Sequence, residues 1–502
     1  MAKKGKKKTQ QDMKTKVSTF LKSKKLGLVL GAIEAVLALV FIGMVTYLNM
    51  LPLKYFLPIV VIIIMVSAYI FLSMFLKKFR TFGKILAVIF SIIWIFGIYM
   101  VGYASGTFDK VGGAKTKADV VNVYVMKEDA AENVKDAAGY TFGKLSSIDK
   151  ENTEKTVEDI NKEIGSSIVT KDYTTMEQLA GALYSGEVQA IIMNQAYADA
   201  LKDIDGYTEF ADRTKVIYGN TIKTEIKVVE DVDVTSNAFA VYISGIDTTG
   251  PVSTTSRSDV NIIAIVNPDT REILLVNTPR DYYVPLSISN GVRDKLTHAG
   301  IYGIDVSMDT LGMLYGIDVN YFFRLNFTGF TGIIDALGGI DVTLDYDATL
   351  QQTGYLEVHR GENHFNGSQA LVFARERYAY MDGDRQRGRN QMMVISSVVK
   401  RMASPALLNN YAGLMDSISG SFETSLSSAQ ISDLVRMQLN EGGGWNVQQY
   451  SVTGTGDMAS CYSVSSGEYY VMRPDENTVA KAKELIQKVY SGETLTSEDL
   501  AE

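Results

Sequence analysis

The chain has 502 residues, too long for one ordinary domain, and 46% of them are hydrophobic. Its net charge of −8 conceals two opposite halves. Residues 1–110 hold 16 Lys and Arg against 3 Asp and Glu, which leaves 33 against 54 for residues 111–502. An acidic body of that size repels phosphate backbones and excludes general nucleic-acid binding. A single cysteine, Cys461, excludes an intrachain disulfide framework, so a packed core must hold the body together.

The first 25 residues contain ten lysines and read as a basic, topogenic, disordered tail, with binding of anionic lipid or nucleic acid as the alternative. Three apolar runs follow, Leu26–Leu48, Tyr55–Leu76 and Ile85–Tyr103. Each is long enough, at about 1.5 Å per residue, to cross a hydrocarbon layer of about 30 Å. Lys77, Lys78, Arg80 and Lys84 crowd the second loop, whereas the first loop, Asn49–Lys54, has only Lys54. The positive-inside rule therefore puts the tail and second loop in the cytoplasm and everything after residue 104 outside a cell membrane. Glu34 falls within the first span, either as a carboxyl near the cytoplasmic end that snorkels or is neutral, or as an intramembrane functional group.

The small-residue stretch 105–118 reads as a linker. Residues 119–234 alternate strands (VVNVYVM, VQAIIMN) with helices (EQLAGALYSG, AYADALKDI), which predicts a small α/β domain with a partly parallel sheet. Residues 237–502 begin with three short β-runs, FAVYISG, VNIIAIV and EILLVN, the last two joined by the turn sequence NPDTR. Helical and strand segments follow, with a long amphipathic helix over about Arg387–Met402 and two more helices beyond Ser427. The fold class is α/β: three transmembrane helices, an accessory α/β domain, and an α/β sandwich with a mixed central sheet.

An antiparallel meander of the three β-runs brings Asp247, Asp259 and Arg280 to one sheet edge. The segment ALVFARERYAYMDGDRQRGRNQ supplies five arginines, 375, 377, 385, 387 and 389. An extended backbone puts Arg375 and Arg377 on one face with Glu376 opposite, Asp384 follows in a glycine-containing loop, and Arg387 and Gln391 share one helical face. Guanidinium groups bind phosphate oxygens in pairs, and neighbouring aspartates suit a hard divalent ion such as Mg²⁺. The same residues could instead form a solvated ion-pair network. Against that stand the apolar run leading into the cluster and the matching acids on separate loops. His298, His359 and His364 lack ligand spacing and read as structural or surface residues, and Cys461 reads as a packed thiol.

The stretches SGIDT…RSD, VNTPRDYYV, DKLTHAGIYG, FRLNFTGFTGIIDALGGIDV and FNGSQALVFARERYAYMDGDRQRGRNQ resemble the LytR–CpsA–Psr family of cell-wall glycopolymer ligases over roughly 239–402. Three spans and an added outer domain look like the streptococcal capsule-attachment branch. The resemblance implies an enzyme in a Gram-positive-type envelope. It would move a glycan-phosphate from a polyprenyl-pyrophosphate carrier to peptidoglycan with Mg²⁺ (or Mn²⁺), with a possible pyrophosphatase activity. It assigns Asp247, Asp259 and Asp384 to the metal, and Arg280, Arg375, Arg377, Arg387 and Gln391 to the pyrophosphate. The catalytic set it implies is Arg280, Arg375, Arg377, Asp384 and Arg387. Asn390 departs from the pattern, since many relatives have another arginine there. Two other readings fit the residues: a non-catalytic wall-polymer binder or signalling protein, and a solute receptor built on 119–234.

Overall fold

The computed structural model describes residues 23–146, 148–226, 232–246, 252–381, 383–404, 422–464 and 467–500. It divides the chain into two compact units, 1–110 with 428–443 and 111–427 with 444–502.

In the first unit, helices α1 (Lys24–Leu48), α2 (Leu53–Ser73) and α3 (Arg80–Val111) are each long and apolar enough to cross a membrane. α1 buries Gly27, Gly31 and Ala38, small residues that let neighbouring helices approach, on the same face as Glu34. Glu34 is fully buried there and does not snorkel. Its Oε1 accepts hydrogen bonds from Ser67 of α2 (3.0 Å) and Trp94 of α3 (2.9 Å), so one carboxyl joins all three helices. The third helix continues to Val111, so residues 105–111 are helical and not linker. Ala104, Phe108 and Val111 are buried, and that burial outweighs the weak helix propensity of Gly106 and Thr107. The helix Ser428–Glu441 belongs to this unit, where Lys54 Nζ bonds the Asn440 carbonyl and Ser428 Oγ bonds Asp109 at 2.8 Å.

The second unit carries two sheets. The accessory sheet has the order β3-β2-β4-β1-β5, built from β1 (Thr116–Met126), β2 (Thr141–Leu145), β3 (Val169–Tyr173), β4 (Ala190–Asn194) and β5 (Thr214–Glu225). β2 runs parallel to β3 and β4, while β1 is antiparallel to β4 and β5. Alternate residues cover both faces: Val121, Val123 and Ile192 pack with Ile160 of α4 (Lys150–Ile164), and Ile191 and Met193 pack with α5 (Met176–Tyr184) and α6 (Gln195–Ala200).

The larger sheet is mixed. The meander β6 (Phe239–Gly245), β7 (Val260–Asn267) and β8 (Glu272–Asn277) is antiparallel as expected. Asn267 Oδ1 accepts the amides of Asp269 (3.1 Å) and Thr270 (3.3 Å), and Arg271 closes the β7–β8 turn in the left-handed region at φ 56°. The short strands β9 (Tyr283–Pro285) and β10 (Arg293–Lys295) pair with each other, and α7 (Leu296–Tyr302) and α8 (Ile304–Tyr315) follow. β11 (Tyr321–Leu325) lies parallel to β6, and α9 (Phe327–Ala336) follows it. Ribbons β12 (Ile340–Leu344) with β15 (Gly361–Phe365) and β13 (Ala348–Leu350) with β14 (Leu356–Val358) lead to α10 (Gly367–Arg375) and α11 (Asp384–Met402). β16 (Phe422–Thr424) and β17 (Asn446–Ser451) complete the sheet, and the hairpin β18 (Gly454–Ala459) with β19 (Tyr469–Pro474) precedes α12 (Glu476–Tyr490).

Period-2 alternation makes this a sandwich. Ile263, Ile265, Leu274 and Val276 share a core with Val479, Leu485 and Ile486 of α12, each such side chain contributing roughly 1.5–3 kcal/mol by burial. On the other face Gly388 of α11 approaches β8 so closely that a Cβ would fall 2.2 Å from the Asn277 side-chain Nδ2.

Candidate active site

The β7–β8 pairing carries two residues of the site to one sheet edge. Asp259 precedes β7, its amide still bonding the Gly245 carbonyl at 3.0 Å, and Arg280 follows β8. Arg280 Nη1 meets Asp259 Oδ1 at 2.8 Å, while its carbonyl accepts the Thr297 amide of α7 at 2.8 Å. Asp247 falls outside the described residues.

The second half comes from α10 and α11. Arg375 is the last residue of α10, whose start is fixed by a capping box between Asn366 and Gln369. The backbone turns extended only at Glu376, so the expected strand is a helix end, yet Arg375 and Arg377 still face one cavity. Glu376 points the other way and is buried. Its carboxylate accepts the amides of Gln351 (2.8 Å), Gln352 (2.9 Å), Tyr378 (2.8 Å) and Ala379 (3.1 Å). Burial pushes this carboxyl up, but the amides outweigh it and hold its pKa below the usual value.

Arg375 lies with its Cζ 4.2 Å from the Phe327 ring centroid, a cation–π contact that fixes the guanidinium. Arg377 donates to the Tyr378 hydroxyl at 2.7 Å, and its buried Nε has no hydrogen-bond partner among the described residues. Asp384 is the first residue of α11 and not a loop residue. Its Oδ1 lies 2.5 Å from Arg387 Nη2, and a carboxylate in a first helical turn also suits the helix dipole. Gln391, one turn after Arg387, bonds the Ala374 carbonyl at 3.3 Å.

These residues surround a cavity of about 250 Å³. Asp259, Arg280, Arg375, Arg377, Arg387, Gln391 and Gln352 supply its polar wall, and Phe327, Phe330, Leu371 and Ile395 are among its apolar lining. Asp384 touches it only through Arg387. Of the five clustered arginines two do not line it: Arg385 donates to the Gly454 carbonyl at 2.6 Å, and Arg389 to Gln386 at 2.8 Å. Asn390 also turns away. It is fully buried, donates to the Phe373 carbonyl at 3.0 Å and accepts from Gln386 at 2.9 Å. The absent arginine at 390 therefore takes no contact from the cavity.

No group of three or more His, Cys, Asp and Glu among the described residues is arranged to hold a metal ion. Asp259 and Asp384 do offer hard oxygen donors, each against an arginine of the cavity wall. One or two carboxylates plus phosphate oxygens suit Mg²⁺ or Mn²⁺, so the donor chemistry fits such an ion. His298 is buried against Asp294 (2.7 Å), and burial, then Asp294, pushes the Cys461 thiol up to about 12, as befits packed residues.

Arg324, in β11, has no signal in its own segment. It is 2% exposed, and its Nη2 donates to the Thr254 carbonyl (3.0 Å) and Ser256 Oγ (3.1 Å). The accessory strand β1 grips the same segment: Ala118 donates to the Ser253 carbonyl and accepts from the Thr255 amide, both at 3.0 Å. The stretch leading into Asp259 is thus held from two sides.

The chain belongs to the LytR–CpsA–Psr family, whose model matches residues 205–485. It is 32% identical over 266 residues, 52% of this chain and 81% of the relative, to the polyisoprenyl-teichoic acid–peptidoglycan teichoic acid transferase TagU of Enterococcus faecalis. The protein of the same name from Bacillus cereus is 30% identical over 216 residues, 43% of this chain and 69% of the relative. Among solved structures, TagT bound to LI-WTA is 25% identical, with a TM-score of 0.42 over 54% of this chain and 94% of that one. A DNA polymerase processivity factor model also matches residues 77–193, a stretch that starts just before α3 and ends inside β4 and so follows neither unit.

Proposed function

We propose that this protein is a membrane-anchored transferase that moves a glycan-phosphate, of the teichoic-acid or capsular type, from a polyprenyl-pyrophosphate carrier to peptidoglycan. The observation that carries the reading is one cavity whose lining combines guanidinium groups from Arg280, Arg375, Arg377 and Arg387 with the apolar side chains of Phe327, Phe330, Leu371 and Ile395. A pyrophosphate joined to a hydrocarbon chain matches both. A free phosphate would leave the apolar side chains unused. The relatives named as teichoic acid transferases support the same substrate class.

In this reading an acceptor hydroxyl oxygen attacks the sugar-proximal phosphorus. The bond from that phosphorus to the bridging oxygen breaks, and polyprenyl phosphate leaves. The arginines stabilise charge on the phosphoryl oxygens, where catalysis is mostly positioning and neutralisation. Asp259 and Asp384, with Asp247 by family resemblance, would hold a Mg²⁺ or Mn²⁺ ion, which would polarise the phosphoryl oxygens. A carboxylate of this set takes the hydroxyl proton. Water in place of the acceptor would give pyrophosphatase activity. The charge of the N-terminal segments directs the cavity outside the membrane, where the acceptor lies.

The test uses the full chain in detergent with a synthetic polyprenyl-pyrophosphate-linked glycan, with and without Mg²⁺. Cleavage of the phosphate bond that is lost in Arg377→Ala supports the reading. Donor binding without any cleavage would make the protein a wall-polymer binder instead.

A further inference from the structure

We propose that the accessory domain is a splint for the Asp259–Arg280 pair, and that Lys117 of β1 is the positioning residue through which it acts. The catalytic consequence rests on the transfer reading above. β1 pairs with β5 along its whole length, from Thr116 to Met126, but with β4 only over Val121–Tyr124. The segment leading to Asp259 takes the edge this leaves at the start of β1. Ala118 forms a parallel bridge with Thr254, through two 3.0 Å hydrogen bonds to the Ser253 carbonyl and from the Thr255 amide. Backbone groups that an open edge would leave unpaired are thus satisfied across the domain boundary, and Thr255, Ser256 and Ser258 are buried.

The side chain next to Ala118 reaches the other member of the pair. Lys117 Nζ donates to the carbonyl of Tyr302, the last residue of α7, at 2.7 Å and to Asp305 of α8 at 2.9 Å. A lysine on the last carbonyls of a helix satisfies acceptors that the helix itself cannot. Lys117 and Asp305 are only 13% and 20% exposed, so salt screens their attraction little. Gly303, between the two partners, makes the slot. Its φ is 133°, and a Cβ there would fall 2.3 Å from Lys117 Nζ.

Helix α7 carries the contact onward. Near its start the Thr297 amide holds the Arg280 carbonyl at 2.8 Å. At Gly300 it lies against the other segment, where a Cβ would come 2.5 Å from the Ser256 carbonyl oxygen and 3.0 Å from the Ser258 nitrogen. One seven-residue helix, held at its end by Lys117, therefore touches both the backbone of Arg280 and the stretch just before Asp259. Two neighbouring residues of β1 hold both members of the 2.8 Å ion pair, Ala118 through 253–255 and Lys117 through α7. This role needs no ligand in the accessory domain.

The experiment uses the full chain with two readouts, single-turnover transfer and amide hydrogen exchange, in the wild type, Lys117→Met, Arg280→Ala and the double variant. Lys144→Met is the control, because both carboxylate partners of Lys144, Glu154 and Asp172, lie within the accessory domain. Lys117→Met should slow transfer roughly tenfold alone and less than about twofold in the Arg280→Ala background, as residues that act as a unit do. The Thr297 amide should exchange roughly tenfold faster in Lys117→Met while the β7 and β8 amides keep their protection. Lys144→Met should change neither readout. An unchanged Thr297 amide, an equal loss of rate in both backgrounds, or the same loss in Lys144→Met overturns the splint. A wild type that never transfers, with the exchange result as expected, overturns the transfer reading and leaves the splint standing.

Discussion

Arg280 and Asp259 stand 21 residues apart in sequence and meet at 2.8 Å at one edge of the β7–β8 pair. Asp259 directly precedes β7, and Arg280 lies three residues past the end of β8, where its carbonyl is held by the Thr297 amide. Arg280→Ala should lower transfer by roughly two orders of magnitude with little change in Tm, since it removes a positioned charge from a cavity wall that water still reaches. Single-turnover rates and a melting curve check this. A drop in Tm that accounts for the lost activity would contradict it.

The stacking of Arg375 on Phe327 separates charge from geometry. Arg375→Lys keeps the charge but loses the planar fork, and should weaken donor affinity roughly tenfold. Phe327→Leu keeps an apolar wall and loses about 0.5–2 kcal/mol of cation–π contact, a several-fold effect. Titration of a fluorescent polyprenyl pyrophosphate reads both variants. Equal, wild-type affinity in Arg375→Lys would remove bidentate recognition from the account.

Arg324 is a positioning residue. Arg324→Met fills the space but strips the Thr254 carbonyl and Ser256 of their donor, at a cost of roughly 1–3 kcal/mol. Activity should fall further than the unfolded fraction explains, because Ser256 is three residues before Asp259. Comparing kcat with the folded fraction across temperature decides it. Strict proportionality would reduce Arg324 to a stability residue.

The accessory domain should be sensitive to pH. Burial, with the charge of Asp119 adding to it, raises the Asp149 carboxyl from 3.8 to about 6, although Asn194 and Asn152 oppose the rise. The folded state then holds this proton more tightly than the unfolded state. Stability from Asp149 is fully present below about pH 4 and is lost as pH rises through about 6. Asp149→Asn should flatten the Tm-versus-pH curve between those values. A parallel curve in the variant would show that Asp149 does not carry the dependence.

The sheet edge of the site was legible in sequence because short strands joined by a Pro/Asp turn admit one simple pairing, which delivers Asp259 and Arg280 together. The arginine pair was found through the wrong local structure. Arg375 ends a helix, and the alternation that an extended chain would impose arises instead from the break at Glu376, which five backbone amides hold in place. Where Asn390 points was not legible, because helical spacing alone does not say which side of α11 faces the cavity. Its bond to the Phe373 carbonyl settles that. Arg324 was invisible because its partners at 254 and 256 are about 70 residues away. The helical nature of 105–111 was hidden by small residues whose burial, not propensity, decides their state.

The most direct test of the central claim is isolation of the product. The full chain is incubated with labelled polyprenyl-pyrophosphate-linked glycan, peptidoglycan and Mg²⁺, and the wall fraction is analysed for a phosphodiester-linked glycan. The account predicts label on peptidoglycan and polyprenyl phosphate released in equal amounts, both abolished in Arg375→Ala. Label that stays on the lipid, or transfer that persists in Arg375→Ala, would contradict it.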